Sequence, residues 1–91
     1  MHIHFPQERP DYCGRDLVLA FPSVVNGKRV QCAITAEALE DHFGAASLRE
    51  DDLLAAFEAH RAAIEHAAER MLKEVDGKPV LLRSGYFRFC E

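Results

Sequence analysis

The sequence predicts an α+β domain in which a small, mainly antiparallel sheet carries two helices packed on one face. Three observations support this fold class: apolar runs flank Asn26-Gly27, helical patterns follow at about residues 36–43 and 48–75, and a short apolar segment comes after them. The chain has 91 residues, 48% of them hydrophobic, which suits a single domain over residues 1–91 with one modest core. No apolar run has the length of a transmembrane helix.

The sheet is predicted to be built on a hairpin over residues 17–34, with its turn at Asn26-Gly27. Both central positions of a two-residue turn need positive φ, which Asn and Gly tolerate best. The turn fixes one register, and a slip by one residue would exchange the two faces. The predicted core face carries Leu17, Leu19, Phe21, Val30, Cys32 and Ile34, and the opposite, mixed face carries Val18, Ala20, Pro22, Val24, Arg29, Gln31 and Ala33.

The segments on either side of the hairpin complete the predicted sheet. Pro22 has no N–H, so the first hairpin strand should be a sheet edge near that residue. Residues 2–5 alternate in polarity as a short strand, whereas residues 6–16 are expected to form a loop. After the helices, residues 80–82 indicate a short buried strand, and residues 86–89 alternate as a further C-terminal strand.

Caps and apolar periodicity predict the two helices. Thr35 is a candidate N-cap for the helix at 36–43. Ser47 and Glu50 have the spacing of a capping box for the second helix, at about 48–75. A continuous helix of about 28 residues would be about 42 Å long, whereas a globule of this size is roughly 30 Å across.

The apolar stripe of the second helix continues where the globule should end. Met71, Leu72 and Val75 lie on this stretch. Exposed apolar surface of this kind usually marks an interaction site, and a symmetric dimer covers identical stripes reciprocally. We therefore predict a homodimer with these three residues at its interface. The alternative is a helix that bends onto its own core.

No residue pattern points to catalysis or to a bound cofactor. The chain has no Gly-rich phosphate loop, no serine nucleophile elbow and no zinc-protease helix. His60 falls on the apolar stripe, where a half-buried histidine with one hydrogen-bond partner is expected rather than an acid or base. A set of acidic residues could bind Mg²⁺, but helix caps and solvated faces explain it as well. That set is Glu37, Glu40, Asp41, Glu50, Asp51 and Asp52.

The cysteines and the first two histidines are the candidates for thiol chemistry and metal binding. The hairpin register buries Cys32, which favours an inert thiol over a nucleophile. Cys13 and Cys90 should be more exposed, and three cysteines without metal spacing indicate free thiols in a reducing cytoplasm. His2 and His4 point the same way on a terminal strand, but no third ligand is evident, so we expect no metal site there.

Nearly the whole chain resembles one family of small bacterial proteins. The matching stretches are Ile3-His4-Phe5-Pro6, Val18-Leu19-Ala20-Phe21-Pro22, Gly27, Val30-Gln31-Cys32-Ala33-Ile34, Glu37-Ala38-Leu39-Glu40-Asp41-His42-Phe43 and Leu53-Leu54-Ala55-Ala56-Phe57-Glu58. They resemble the family known as domain of unknown function 1488, or DUF1488. The resemblance implies an α+β fold and brings no established reaction, ligand or catalytic residue. Some members carry a loose "transcriptional regulator" label.

Three classes of function remain open on the sequence. The favoured class is a non-catalytic interaction or assembly module that self-associates in the cytoplasm, without a cofactor or a membrane anchor. The second is a nucleic-acid-linked transcriptional regulator. The net charge of −4 and the carboxylates of Glu50, Asp51 and Asp52, where a recognition helix would begin, argue against it. The third is a metal-binding or thiol-dependent protein.

Overall fold

A computed structural model describes residues 1–89 of the chain, and its elements form an α+β fold. The strands are β1 (Ile3–His4), β2 (Asp11–Cys13), β3 (Val18–Val25), β4 (Lys28–Thr35) and β5 (Val80–Leu82), and the helices are α1 (Ala36–His42), α2 (Glu50–Ala59), α3 (Arg61–Glu74) and α4 (Ser84–Phe89). This confirms the predicted fold class. None of the helices in this part of the chain combines the length and the apolar character needed to cross a bilayer.

The β3–β4 hairpin is the centre of the sheet and has the predicted register. Asn26 and Gly27 both have positive φ, at 51° and 84°, as a two-residue hairpin turn of this type requires. Phe21 lies opposite Cys32. The buried side chains of the hairpin are Leu19, Phe21, Ser23, Val25, Cys32 and Ile34. Leu17, predicted on this face, instead precedes β3 and is exposed, because the turn there gives it a φ of 54°.

β1 and β2 both pair with β3 and leave a gap beside Pro22. β1 ends at His4 and β2 begins at Asp11, so residues 5–10 leave the ladder between them. An outer strand would gain no hydrogen bond from an N–H that Pro22 does not have. The predicted sheet edge near Pro22 is therefore confirmed. The loop predicted over 6–16 is wrong in part, because it contains β2.

β5 adds to the other side of β4 in the parallel direction and completes the sheet. It confirms the strand predicted at 80–82. The strand predicted at 86–89 is wrong, because these residues belong to α4. The Phe87 ring lies 5.5 Å from that of His42 and 5.1 Å from that of Phe43, measured between centroids. Such a tertiary contact with α1 decides the conformation of a segment too short to show a clear period.

The first predicted helix is confirmed, whereas the second consists of α2 and α3. The Thr35 hydroxyl accepts a hydrogen bond from the Ala38 N–H at 3.0 Å and so caps α1. His60, with φ −123° and ψ 24°, interrupts the second helix. Its beginning was also placed wrongly: α2 starts at Glu50, and the Ser47 hydroxyl donates to an Asp52 carboxylate oxygen at 2.6 Å instead of capping the helix.

The helices pack on the buried face of the hairpin. Phe57 of α2 contacts Phe21 of β3 with ring centroids 5.2 Å apart. The fully buried side chains that the helices contribute include Leu39, Leu53, Phe57, Ile64, Ala68 and Leu72. The core therefore lies between the sheet and the helices, and the opposite side of the sheet is outside it.

Candidate interaction surface

The sheet presents to solvent the face that points away from the helices. Its side chains are Val18, Ala20, Pro22 and Val24 of β3, Arg29, Gln31, Ala33 and Thr35 of β4, and Leu81 of β5. We call this set the open face. Its members are half-buried or exposed, whereas their neighbours along β3 are buried. No helix of residues 1–89 covers it. The membership of this face agrees with the hairpin register predicted from the sequence.

The open face is more apolar than a solvated sheet face usually is. Antiparallel strands with one wet face normally alternate between apolar and polar side chains. β3 instead places only apolar side chains on both of its faces, apart from Ser23. Leu81 of β5 is 41% exposed and lies beside Ala33 of β4 on the same face. Such a surface is typical of one that another apolar surface covers.

A charged pair lies at the margin of the open face near the hairpin turn. Arg29 donates two hydrogen bonds to Glu8, at 3.1 and 3.2 Å. The hydrogen bond from Arg29 holds the pKa of Glu8 below its ordinary value, and the same bond raises the pKa of Arg29. Both side chains are largely exposed, so water screens the pair and it adds little stability. It joins the segment 5–10 to β4.

Two shallow depressions are lined in part by residues of the open face. One, of about 440 Å³, lies beside Pro22 and reaches Tyr12 and Cys13 of β2. The other, of about 550 Å³, is lined by Leu81 and by the charged side chain of Arg83. The Cys13 thiol donates a hydrogen bond to a carboxylate oxygen of Asp16 at 3.5 Å.

Asp41, His42 and Ser84 meet between α1 and α4. Their hydrogen bonds form a clamp that connects the two helices, and they do not run in the order of a catalytic triad. The Ser84 hydroxyl is buried and donates its only proton to an Asp41 carboxylate oxygen at 2.7 Å. His42 Nε2 lies 3.2 Å from the Ser84 hydroxyl oxygen and 3.1 Å from its carbonyl oxygen. In a hydrolytic triad the histidine connects the other two residues, whereas here the serine does. The contact holds α4 against α1.

The structure buries Cys32 as the register predicts. Its side chain is 0% exposed, and burial raises the pKa of the thiol. The thiol donates a long hydrogen bond of 3.6 Å to the Ser23 hydroxyl, which itself donates to the Val30 carbonyl at 2.7 Å. A protonated, enclosed thiol is a poor nucleophile. Cys90 lies outside the described residues.

The histidines predicted as candidate ligands are scattered over the surface. His2 and His4 are both exposed, and the backbone N–H of His2 donates to the Asn26 side chain at 2.9 Å. Within residues 1–89, no three side chains of His, Cys, Asp or Glu come close enough to hold a metal ion. His60 is exposed rather than half-buried, because it lies at the junction of α2 and α3, with its ring 5.4 Å from that of Phe43.

The residues predicted for self-association do not form an overhang. Leu72 is 0% exposed, and Met71 and Val75 are partly buried against the core. The premise of one long helix is wrong, since the break at His60 lets α3 pack over the sheet. A second copy cannot reach Leu72 without unpacking α3. Self-association itself stays a prediction, and so does a part in it for Met71 and Val75, which are only partly buried.

Fold and surface together define a small α+β domain in which helices cover only one face of the sheet. The chain belongs to the DUF1488 family, because the model of that family, described as a protein of unknown function, matches residues 3–82. This confirms the resemblance seen in the sequence. The match ends before α4. The clamp between Asp41 and Ser84 therefore joins α1, which lies within the matched residues, to α4, which lies outside them.

The relatives agree with this membership. The chain is 33% identical over 72 residues to the uncharacterized protein YrdB of Escherichia coli (strain K12), which covers 79% of this chain and 81% of the relative. It is 32% identical over 72 residues to YrdB of Shigella flexneri, with the same coverage. A crystal structure of a DUF1488 protein of unknown function from Shewanella loihica PV-4 has the same fold, with a TM-score of 0.74 at 24% identity over 89% of this chain and 92% of that one.

Proposed function

We propose that this protein is a non-catalytic interaction module that self-associates through the open face of its sheet. The observation that carries the proposal is the uncovered row of apolar side chains on β3, with Ala33 of β4 and Leu81 of β5 following it across the sheet. Among the described residues, no group of three His, Cys, Asp or Glu side chains could hold a metal ion, and Asp41, His42 and Ser84 do not have the order of a hydrolytic triad. The unpaired thiols of Cys13 and Cys32 fit a reducing compartment such as the cytoplasm.

The open face has the area of a weak dimer interface. Its two long strands, β3 and β4, have eight residues each, which is about 26 Å at a rise of about 3.3 Å per residue. At a spacing of about 4.8 Å the two strands are about 10 Å wide, and the three residues of β5 add a strip about 10 Å long. The face therefore covers about 300 Å² on each copy, and two copies bury about 600 Å² in total, which is the size of a weak, transient contact.

The shape and chemistry of the open face favour a second copy of the same sheet. Ala20, Pro22 and Ala33 are small or flat, so another sheet can approach to the usual distance of about 10 Å between stacked sheets. A two-fold axis would place the same apolar rows against each other. The charged pair of Arg29 and Glu8 would then lie at the polar rim, as is typical of interfaces.

Leu81→Arg tests this proposal, with Leu48→Arg as a matched control. The two leucines are 41% and 45% exposed, but only Leu81 lies on the open face, whereas Leu48 precedes α2. We expect the wild type and Leu48→Arg to be dimers at high micromolar concentration by light scattering after size exclusion. Leu81→Arg should be a monomer with an unchanged circular dichroism spectrum, because an unpaired charge is costly in an apolar interface.

Three results would contradict the proposal. A monomeric wild type at high micromolar concentration excludes self-association. Equal masses for Leu81→Arg and the wild type exclude the open face. The third contradicting result is that Met71→Glu alone yields a folded monomer, because the dimer then forms through α3. If Met71→Glu instead unfolds the chain, Met71 belongs to the core.

A further inference from the structure

A second cavity lies on the helical side of the molecule, between α1, α3 and α4. Its volume is about 260 Å³. Ala63, His66, Ala67 and Arg70 of α3 line one side of it, at the spacing of residues that share one helix face. The two alanine methyl groups form a floor and leave room above it, and the longer side chains of His66 and Arg70 stand beside that room. Because the sequence predicts a strand in place of α4, it does not reveal this cavity.

The wall opposite α3 is aromatic. Phe87 of α4 meets Phe43 edge to face, with ring centroids 5.1 Å apart and planes at 90°. The His42 ring lies 5.5 Å from Phe87, and its Nε2 is held by Ser84. These contacts fix the position of the Phe87 ring without a ligand. A flat apolar group is the natural neighbour for such a wall.

Within residues 1–89, the polar groups that line the cavity are all basic or neutral. None of the aspartates and glutamates in this part of the chain lines it, although the chain has 15 acidic residues and a net charge of −4. Within residues 1–89, no carboxylate lies within 4 Å of Arg70 in an ion pair, while Glu69 on the same helix pairs with Lys73 at 3.2 Å. Arg70 therefore keeps its guanidinium donors available to a ligand. A planar guanidinium fits a carboxylate through two parallel hydrogen bonds.

We propose that this cavity binds a small carboxylate that carries one flat apolar group, such as an aromatic ring. The carboxylate meets Arg70 and His66, and the ring lies on the floor of Ala63 and Ala67 against Phe87. The volume limits the ligand, since drug-sized molecules occupy cavities of about 300–1,000 Å³. An apolar lining with a few convergent polar groups is the usual form of a small-molecule site. This cavity has such a lining and is open to solvent on the side of Ala63, His66 and Arg70, which are exposed. This site is independent of the open face.

Benzoate is the probe that tests the site, with benzyl alcohol as its neutral counterpart. The full chain, labelled with ¹⁵N, is titrated with each compound while amide and side-chain shifts are recorded by NMR. We expect saturable shifts at residues 63–70 and at Phe87 with benzoate, and at least 10-fold weaker binding of benzyl alcohol, about the effect of losing one charge-assisted hydrogen bond.

Two substitutions test separately the charge of Arg70 and the room above the floor of the cavity at Ala63. Arg70→Gln should weaken benzoate binding about 10-fold or more, whereas Arg49→Gln, at an exposed arginine before α2, should leave it unchanged. Ala63→Leu should fill the floor and abolish binding while Arg70 remains; Ala63 is exposed, so the larger side chain does not disturb the core.

Four outcomes would overturn this assignment. They are the absence of saturable shifts with benzoate, shifts confined to another surface, equal affinity for benzyl alcohol, and unchanged affinity in both Arg70→Gln and Ala63→Leu. The amide spectrum of each variant reports its folding, so loss of binding by an unfolded chain is recognised directly.

Discussion

Removal of the Arg61 side chain should destabilise the fold by about 3 kcal/mol. Arg61 is the first residue of α3, and its side chain is only 12% exposed. Its Nη2 group donates to the carbonyl oxygens of Pro6 at 3.3 Å and Glu8 at 2.8 Å. The same guanidinium pairs with Glu58 and Glu65, both at 2.9 Å. One side chain thus joins the segment 5–10 to the helices.

The magnitude follows from these contacts. Hydrogen bonds with a charged partner contribute about 1.5–3 kcal/mol each. The guanidinium also lies 5.2 Å from the centroid of the Phe57 ring, a cation–π contact that adds about 0.5–2 kcal/mol. The full sum of these contributions is not lost, because water reaches the freed carbonyls in part and the contacts are not additive. We therefore expect Arg61→Ala to lower the free energy of unfolding by about 3 kcal/mol. Arg61→Lys keeps the charge but loses the planar fork, and should cost about 2 kcal/mol.

Urea denaturation followed by circular dichroism measures this effect, with Arg29→Ala as the control. Arg29 also makes two hydrogen bonds to a carboxylate, but its side chain is 61% exposed. We expect no measurable change for Arg29→Ala. Amide exchange in β2 should quicken in Arg61→Ala, because the segment before it loses its anchor. Equal stability of the two alanine variants would refute the reasoning.

Four further predictions can be measured independently. Phe21→Ala should cost about 3–5 kcal/mol in the same denaturation experiment, because it leaves a cavity under α2; a cost below about 1 kcal/mol would contradict its place in the core. A thiol reagent should modify Cys13 in the native protein and Cys32 only after unfolding, as peptide mass spectrometry can show; native labelling of Cys32 would count against its burial. Elemental analysis after purification without chelators should find no stoichiometric metal, and metal lost on His2→Ala or His4→Ala would reverse this expectation. Duplex DNA should not bind tightly at physiological salt, and micromolar binding that weakens as salt rises would support the regulator class.

The hairpin could be predicted because its information is local. Asn26-Gly27 selects the turn, and the turn fixes each pair along β3 and β4. Phe21 and Cys32 are eleven residues apart along the chain, and their pairing follows from that choice without knowledge of the rest of the chain. The edge at Pro22 is equally local, since a missing N–H is a property of one residue. The hairpin register therefore predicts all members of the open face except Thr35 and Leu81, but it does not predict that this face is uncovered.

The break at His60 and the helix α4 depend on contacts that the sequence does not display. Neither proline nor glycine marks the end of α2. Arg61 instead binds the carbonyls of Pro6 and Glu8, which lie 55 and 53 residues away along the chain. α4 likewise depends on the clamp between Ser84 and α1. Periodicity over one segment does not report partners at such separations, so both features needed the three-dimensional structure.

The dimensions of the molecule explain why the helix breaks and why the interaction surface lies elsewhere. An unbroken helix over residues 50–74 would be about 37 Å long, which exceeds the longest dimension of the body, 35 Å. α3 has 14 residues and is about 21 Å long, so it fits over the sheet and buries Leu72. The apolar end that predicted an overhang is thereby used inside the molecule. Among the described residues, the apolar row of β3 remains uncovered, and across β4 from it so does Leu81. This is the surface through which we propose that the protein self-associates.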